Sequence, residues 1–130
     1  MTRYLKIMLL VAVAITLGAC AHTQPVYNVS SAPITTNKAK PTLDEIGKAI
    51  MRAGAALGWD MRQVAPGKIS GTLKLRKHTA IVDIPYDTQS FSIKYSDSSE
   101  LNYADGNIHK NYNGWIQNLE KGIRAQLMTL

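Results

Sequence analysis

The chain carries one cysteine, Cys20, three histidines, His22, His78 and His109, and two short acidic runs that could do chemistry. Histidine serves acid–base catalysis and metal binding alike. None of the three has a second ligand at helical or hairpin spacing, and His22 falls in a polar stretch. His78 reads as a solvent-exposed hairpin tip, and His109 as a hydrogen-bonding residue at the start of a helix. Asp97-Ser98-Ser99-Glu100 and Asp105-Gly106-Asn107 gather oxygen groups in one loop. They lack the every-second-residue ligands, central glycine and terminal glutamate of a calcium loop, so they read as turn formers. No Gly-x-Ser-x-Gly, phosphate-binding loop or paired-histidine motif occurs. The residues point to no cofactor, no metal and no catalytic set.

Cys20 stands apart because of what precedes it. Arg3 and Lys6 are followed by the aliphatic run Ile7 to Leu17, then by Gly18-Ala19-Cys20. A charged start, a short apolar stretch and small residues before a cleavage point form an export signal. The run is shorter than the ~20 apolar residues a spanning helix needs. The tetrad Leu17-Gly18-Ala19-Cys20 resembles the lipobox of bacterial lipoprotein precursors. The resemblance implies a diacylglyceryl group on the Cys20 sulfur, cleavage between Ala19 and Cys20, and acylation of the new amine. Several acyl chains would make that anchor effectively permanent, since each buried methylene contributes ~0.8 kcal/mol. In enteric lipoproteins an aspartate after the cysteine favours the inner membrane. Ala21 in that place implies the periplasmic face of the outer membrane, with the inner membrane as the alternative.

Removing residues 1–19 leaves 13 basic against 9 acidic residues, a balance of +4. That is mildly basic, without the clustered footprint of a nucleic-acid binder. With no second cysteine the domain has no internal disulfide, so its core must hold alone. Residues 20–41 are polar and broken by Pro25, Pro33 and Pro41. They read as the lipidated cysteine and a flexible tether, with a short extended piece at Val26–Val29, reaching ~25 Å on average.

Residues 42–130 then read as a single α+β periplasmic domain. Thr42 and Glu45 form a capping box, and Leu43, Ile46, Ile50, Ala53 and Leu57 recur at helical spacing up to Gly58. Gly47 and Gly54 beside that stripe predict close approach to another backbone. From Trp59 the period becomes two. Trp59 to Val64, Lys68 to Arg76, Thr79 to Tyr86 and Phe91 to Ser96 read as strands, with Trp59 and Met61 facing inward. A tight loop at Lys77-His78 would pair Leu75 with Ala80, Leu73 with Val82 and Thr72 with Asp83. A turn over Asp87–Ser90 would pair Tyr86 with Phe91, Ile84 with Ile93 and Asp83 with Lys94. Ser96 to Gly106 reads as a loop into which Leu101 and Tyr103 tuck, leaving room for a cleft between Tyr103 and Tyr112. Ile108, Tyr112, Trp115, Ile116, Leu119, Ile123 and Leu127 make the stripe of a last helix. The expectation is helix, four-stranded antiparallel meander, helix, with both helices on one face of the sheet. Gly67–Tyr95 and Ile108–Ile123 resemble small uncharacterised proteobacterial lipoproteins, a resemblance that brings no activity with it.

Three function classes follow. The first is a lipid-anchored, non-enzymatic binding or structural module of the cell envelope, meeting an envelope protein. The second binds anionic envelope lipid or polymer through a basic sheet face, with Lys74, Arg76 and Lys94 as contacts. The third is an enzyme with an unrecognised site near His109 and the Asp97–Asp105 loop.

Overall fold

A computed structural model describes residues 22–130, so the expectations on Arg3, Lys6 and Leu17 to Ala21, the lipobox and Cys20 included, lie outside the described residues. The chain runs through β1 (Thr23–Pro25), β2 (Val29–Pro33), α1 (Leu43–Ala56), β3 (Asp60–Ala65), β4 (Lys68–Leu75), β5 (His78–Pro85), β6 (Ser90–Ser99), β7 (Asn107–His109) and α2 (Lys110–Leu127). One antiparallel sheet has the order β2-β6-β5-β4-β3, and β1 pairs with β7 in a separate two-stranded ribbon. The class is α+β, with five strands in the main sheet where the sequence predicts four.

α1 forms as its signals dictate. Thr42 accepts the Glu45 N–H, Glu45 accepts the Thr42 N–H, and Asp44 and Glu45 occupy the first turn. The chain leaves the helix through Gly58, at φ 89. Gly47 and Gly54 sit where a side chain would collide with the Tyr86 ring and the Met61 side chain respectively. The two glycines therefore let α1 lie close on the sheet, which offsets their ~1 kcal/mol helix cost.

One core holds both helices and one sheet face. Ile46, Ile50 and Ala53 of α1 and Tyr112, Ile116, Leu119 and Ile123 of α2 pack with Met61, Ile69, Leu73, Val82, Ile84 and Ile93. Trp59 and Met61 face inward as expected, at 4% and 8% exposure.

The expected tether is not one. Residues 22–38 run as a strap along α2 from its first residue to its end. Lys110 donates its N–H to the His22 carbonyl at 3.1 Å, and Lys38 donates to the Leu130 carbonyl at 2.9 Å. Within the strap β2 forms the edge of the main sheet by pairing with β6, burying Val29 and Ala32. Pro25 and Pro33 end β1 and β2 rather than interrupting them, which is where an edge strand tolerates a residue with no N–H.

Three further expectations are corrected. The β4–β5 hairpin turns on Arg76-Lys77, pairing Leu75 with His78, Leu73 with Ala80 and Ser70 with Asp83. The slide from the expected register is two residues, which keeps every side chain on its face, so hydrophobic pattern does not discriminate. Arg76 takes φ 56, the left-handed geometry that tight hairpin turns use. In the next hairpin Tyr86 opposes Phe91 and Asp83 opposes Lys94, as expected. A bulge then extends β6 through Ser99, so Asp97, Ser98 and Ser99 lie on a strand and not in a loop. β7 takes up Ile108, and α2 starts only at Lys110.

Candidate functional site

The three histidines, far apart in sequence, are brought to one end of the domain. His109 pairs with Thr23 across the β1–β7 ribbon, one residue from His22. It donates its N–H to the Leu101 carbonyl at 2.8 Å. The neighbouring Glu100 carbonyl lies 2.7 Å from Nδ1 of His78, whose ring centroid is 6.5 Å from that of Trp115.

Each ring has a structural task. His109 is the N-cap of α2, and its Nδ1 accepts the Asn111 N–H at 3.2 Å. That nitrogen therefore acts as the acceptor that caps the helix. His78 faces a carbonyl oxygen, so its Nδ1 carries the proton and donates. The expected helix-end role of His109 is met; His78 is half-buried against Trp115 rather than free at a tip. Among the described residues no group of three or more His, Cys, Asp or Glu side chains is placed to hold a metal.

Beside this end lies an aromatic stair. Tyr103 stacks on Tyr95 with centroids 4.2 Å apart, and Tyr95 meets Tyr112 edge-on at 5.7 Å. Tyr103 does not tuck inward as expected and is 47% exposed, whereas Leu101 is buried. Asp97, Ser98, Glu100, Asn102 and Tyr103 line a shallow recess there. Glu100, Asn102 and Asp105 all have positive φ, as does Gly106, so the loop bends tightly. Burial pushes the Tyr95 hydroxyl upward in pKa and the Tyr112 hydroxyl further still. Tyr112 Oη is buried with no hydrogen-bond partner.

The open face of the sheet carries charges of both signs. Register places Arg62, Ser70, Asp83 and Lys94 in one row, and Asp60, Thr72, Ile81 and Asp97 in the next. Lys74 opposes Thr79 one row further on. Lys74 and Lys94 are thus ~13 Å apart along the strands and ~10 Å across them. Arg76 belongs to the turn. Three carboxylates, Asp60, Asp83 and Asp97, lie among Arg62, Lys74 and Lys94, and Asp60 pairs with Arg62 at 3.2 Å. Asp83 and Lys94 are Cα partners, yet their charged groups do not form an ion pair within 4.0 Å.

The side chains that organise this region were missed at the sequence level. Asn113 is buried and brackets Val26: its Oδ1 accepts the Tyr27 N–H at 2.9 Å, and its Nδ2 donates to the Pro25 carbonyl at 2.9 Å. Ser92 accepts the Ser31 N–H at 2.9 Å, and Asn28 accepts the Tyr95 N–H at 2.9 Å. Tyr27 donates its hydroxyl to Glu120 at 2.9 Å, which raises the Tyr27 pKa. One signal was available: Asn113 sits three residues before Ile116, at the margin of the apolar stripe. No protein-family model matches the chain, and neither a curated protein nor a solved structure matches it.

Proposed function

We propose that the protein is a lipid-anchored lipoprotein of the cell envelope, acting as a non-enzymatic binding or structural module on the periplasmic side. The observation that carries this reading is the tetrad Leu17-Gly18-Ala19-Cys20, which closes a short apolar run behind Arg3 and Lys6 and supplies the chain's sole cysteine. The core supports it, because it closes around two helices and one sheet face without a disulfide. The roles of His78 and His109 as backbone partners support a binding or structural module over an enzyme. The mixed charge of the open sheet face favours a protein or envelope component over a polyanion bound there through Lys74, Arg76 and Lys94. Ala21 after the cysteine favours the outer membrane.

Labelled palmitate tests the anchor. In a Gram-negative host the wild-type protein takes up label and Cys20→Ser does not. A wild type that takes up none overturns the reading, and recovery mainly with the inner membrane overturns the outer-membrane address.

A further inference from the structure

We propose that the end of the domain built from β1, β7, the β4–β5 turn and the start of α2 lies flat against the bilayer, where Arg76, Lys77 and Lys110 meet anionic phospholipid headgroups. This rests on the lipid-anchor reading of Cys20 and adds to it a face and an orientation.

The length of the leash carries the argument. The described residues begin at His22, whose carbonyl is held by the Lys110 N–H, and Thr23 is already paired with His109. Cys20 precedes His22 by two residues, which span at most ~7 Å of extended chain. A flexible tether of ~20 residues would stand the domain off by ~25 Å on average. Because the strap is folded onto α2 instead, an acylated Cys20 holds this end within about one Debye length, ~8 Å, of the headgroups. At that separation surface charges still act on one another.

The groups at this end suit such a surface. Arg76 and Lys77 are exposed on the turn that leads into His78, and Lys110 is exposed at the start of α2. None of the three is in an ion pair among the described residues. The adjoining loop carries Glu100, whose carbonyl meets His78, and Asp105, which precedes β7 at the far end of the ribbon. Trp115 is half-buried against His78 and lines a shallow recess with Gln24 and Lys110. An indole with one wet edge is the side chain that settles at headgroup level.

The test uses the full chain, expressed in a Gram-negative host and reconstituted into vesicles of phosphatidylethanolamine with phosphatidylglycerol, or of phosphatidylcholine alone. A short amine-acetylation pulse is read by mass spectrometry at each lysine. Lys77 and Lys110 should label at least threefold more slowly than exposed Lys48 and Lys94 in the anionic vesicles, and the difference should shrink in phosphatidylcholine. Arg76→Asn, which suits the backbone at φ 56, should weaken the protection of Lys77 while the protein still floats with vesicles. If Cys20 carries no acyl chain and the protein does not float, the anchor reading fails and the inference fails with it. If the acylated protein floats but Lys77 and Lys110 label like Lys48, or their protection ignores lipid charge, the anchor stands and the apposed face is wrong.

Discussion

The side chain of Asn113 accepts the backbone N–H of Tyr27 at 2.9 Å, across 86 residues of chain. The same amide donates to the Pro25 carbonyl, so one residue of α2 satisfies the strap on both sides of Val26. A strap without helix or regular sheet pairing at that point has few other partners for these groups. Asn113→Ala leaves a donor and an acceptor unpaired, and should destabilise the protein by about 1–3 kcal/mol. Amide hydrogen exchange should rise first in residues 22–33 and only later in β4 and β5. An unchanged denaturation midpoint would show that the clamp is incidental.

Asp83 and Lys94 offer a contrast. They are direct cross-strand partners, but no ion pair within 4.0 Å joins them, and Lys94 is exposed. Pairs of this kind contribute about 0.2–1 kcal/mol even when well formed. Asp83→Ala should therefore shift the urea midpoint by less than that of Asn113→Ala and leave the circular dichroism spectrum unchanged. A loss above about 1 kcal/mol would mean that the row Arg62, Ser70, Asp83, Lys94 acts as a network.

How much of this was legible in the sequence depends on the range of the interaction. α1 is specified by neighbours: Thr42 and Glu45 cap it, and Ile46, Ile50 and Ala53 repeat within one turn of each other. The Tyr86–Phe91 pairing follows from one short turn, and the sequence reading finds it. The β4–β5 register fails by two residues because both alternatives bury the same faces, and the decision falls to Arg76 adopting φ 56. The strap fails for a different reason. Its partners Asn113, Ser92 and Tyr95 lie 61 to 88 residues away, so locally it shows only polar side chains and prolines. The candidate site suffers likewise, since the charge balance of the open face needs β3 and the β6 bulge in place.

Acid should weaken the fold through two carboxylates. Asp87 accepts the N–H groups of Gln89 and Ser90 at 2.7 Å each, which holds its pKa below the ordinary 3.8. Glu45 is lowered from 4.5, first by the Lys38 ammonium and then by the Thr42 N–H. Both folded values are depressed, so their contribution is present above the ordinary carboxylate range and is lost as the pH falls through the folded values. Melting temperatures taken from pH 7 down to pH 2 should drop less steeply for Glu45→Gln/Asp87→Asn than for wild type. Parallel profiles would exclude these two groups as the acid-sensitive ones.

Tyr112 makes the opposite case, because its hydroxyl is a liability where it stands. The ring is fully buried and meets Tyr95 edge-on at 5.7 Å, yet Oη has no hydrogen-bond partner. A buried polar atom left unpaired costs about 1–3 kcal/mol, whereas the ring contact survives loss of the oxygen. Tyr112→Phe should therefore stabilise the protein, by about 1 kcal/mol once the small void left by the oxygen is counted. Alkali supplies an independent reading. Burial, with the nearby Tyr95 adding to it, raises the Tyr112 pKa above the ordinary 10.0. The folded state thus favours the protonated phenol; stability is unaffected below pH 10 and falls as the pH climbs from 10 toward the folded value. The phenylalanine variant lacks that ionisation, so its urea midpoint should exceed wild type at pH 7 and by a wider margin at pH 11. A midpoint below wild type at pH 7 would mean that Oη has a partner in solution, such as a buried water.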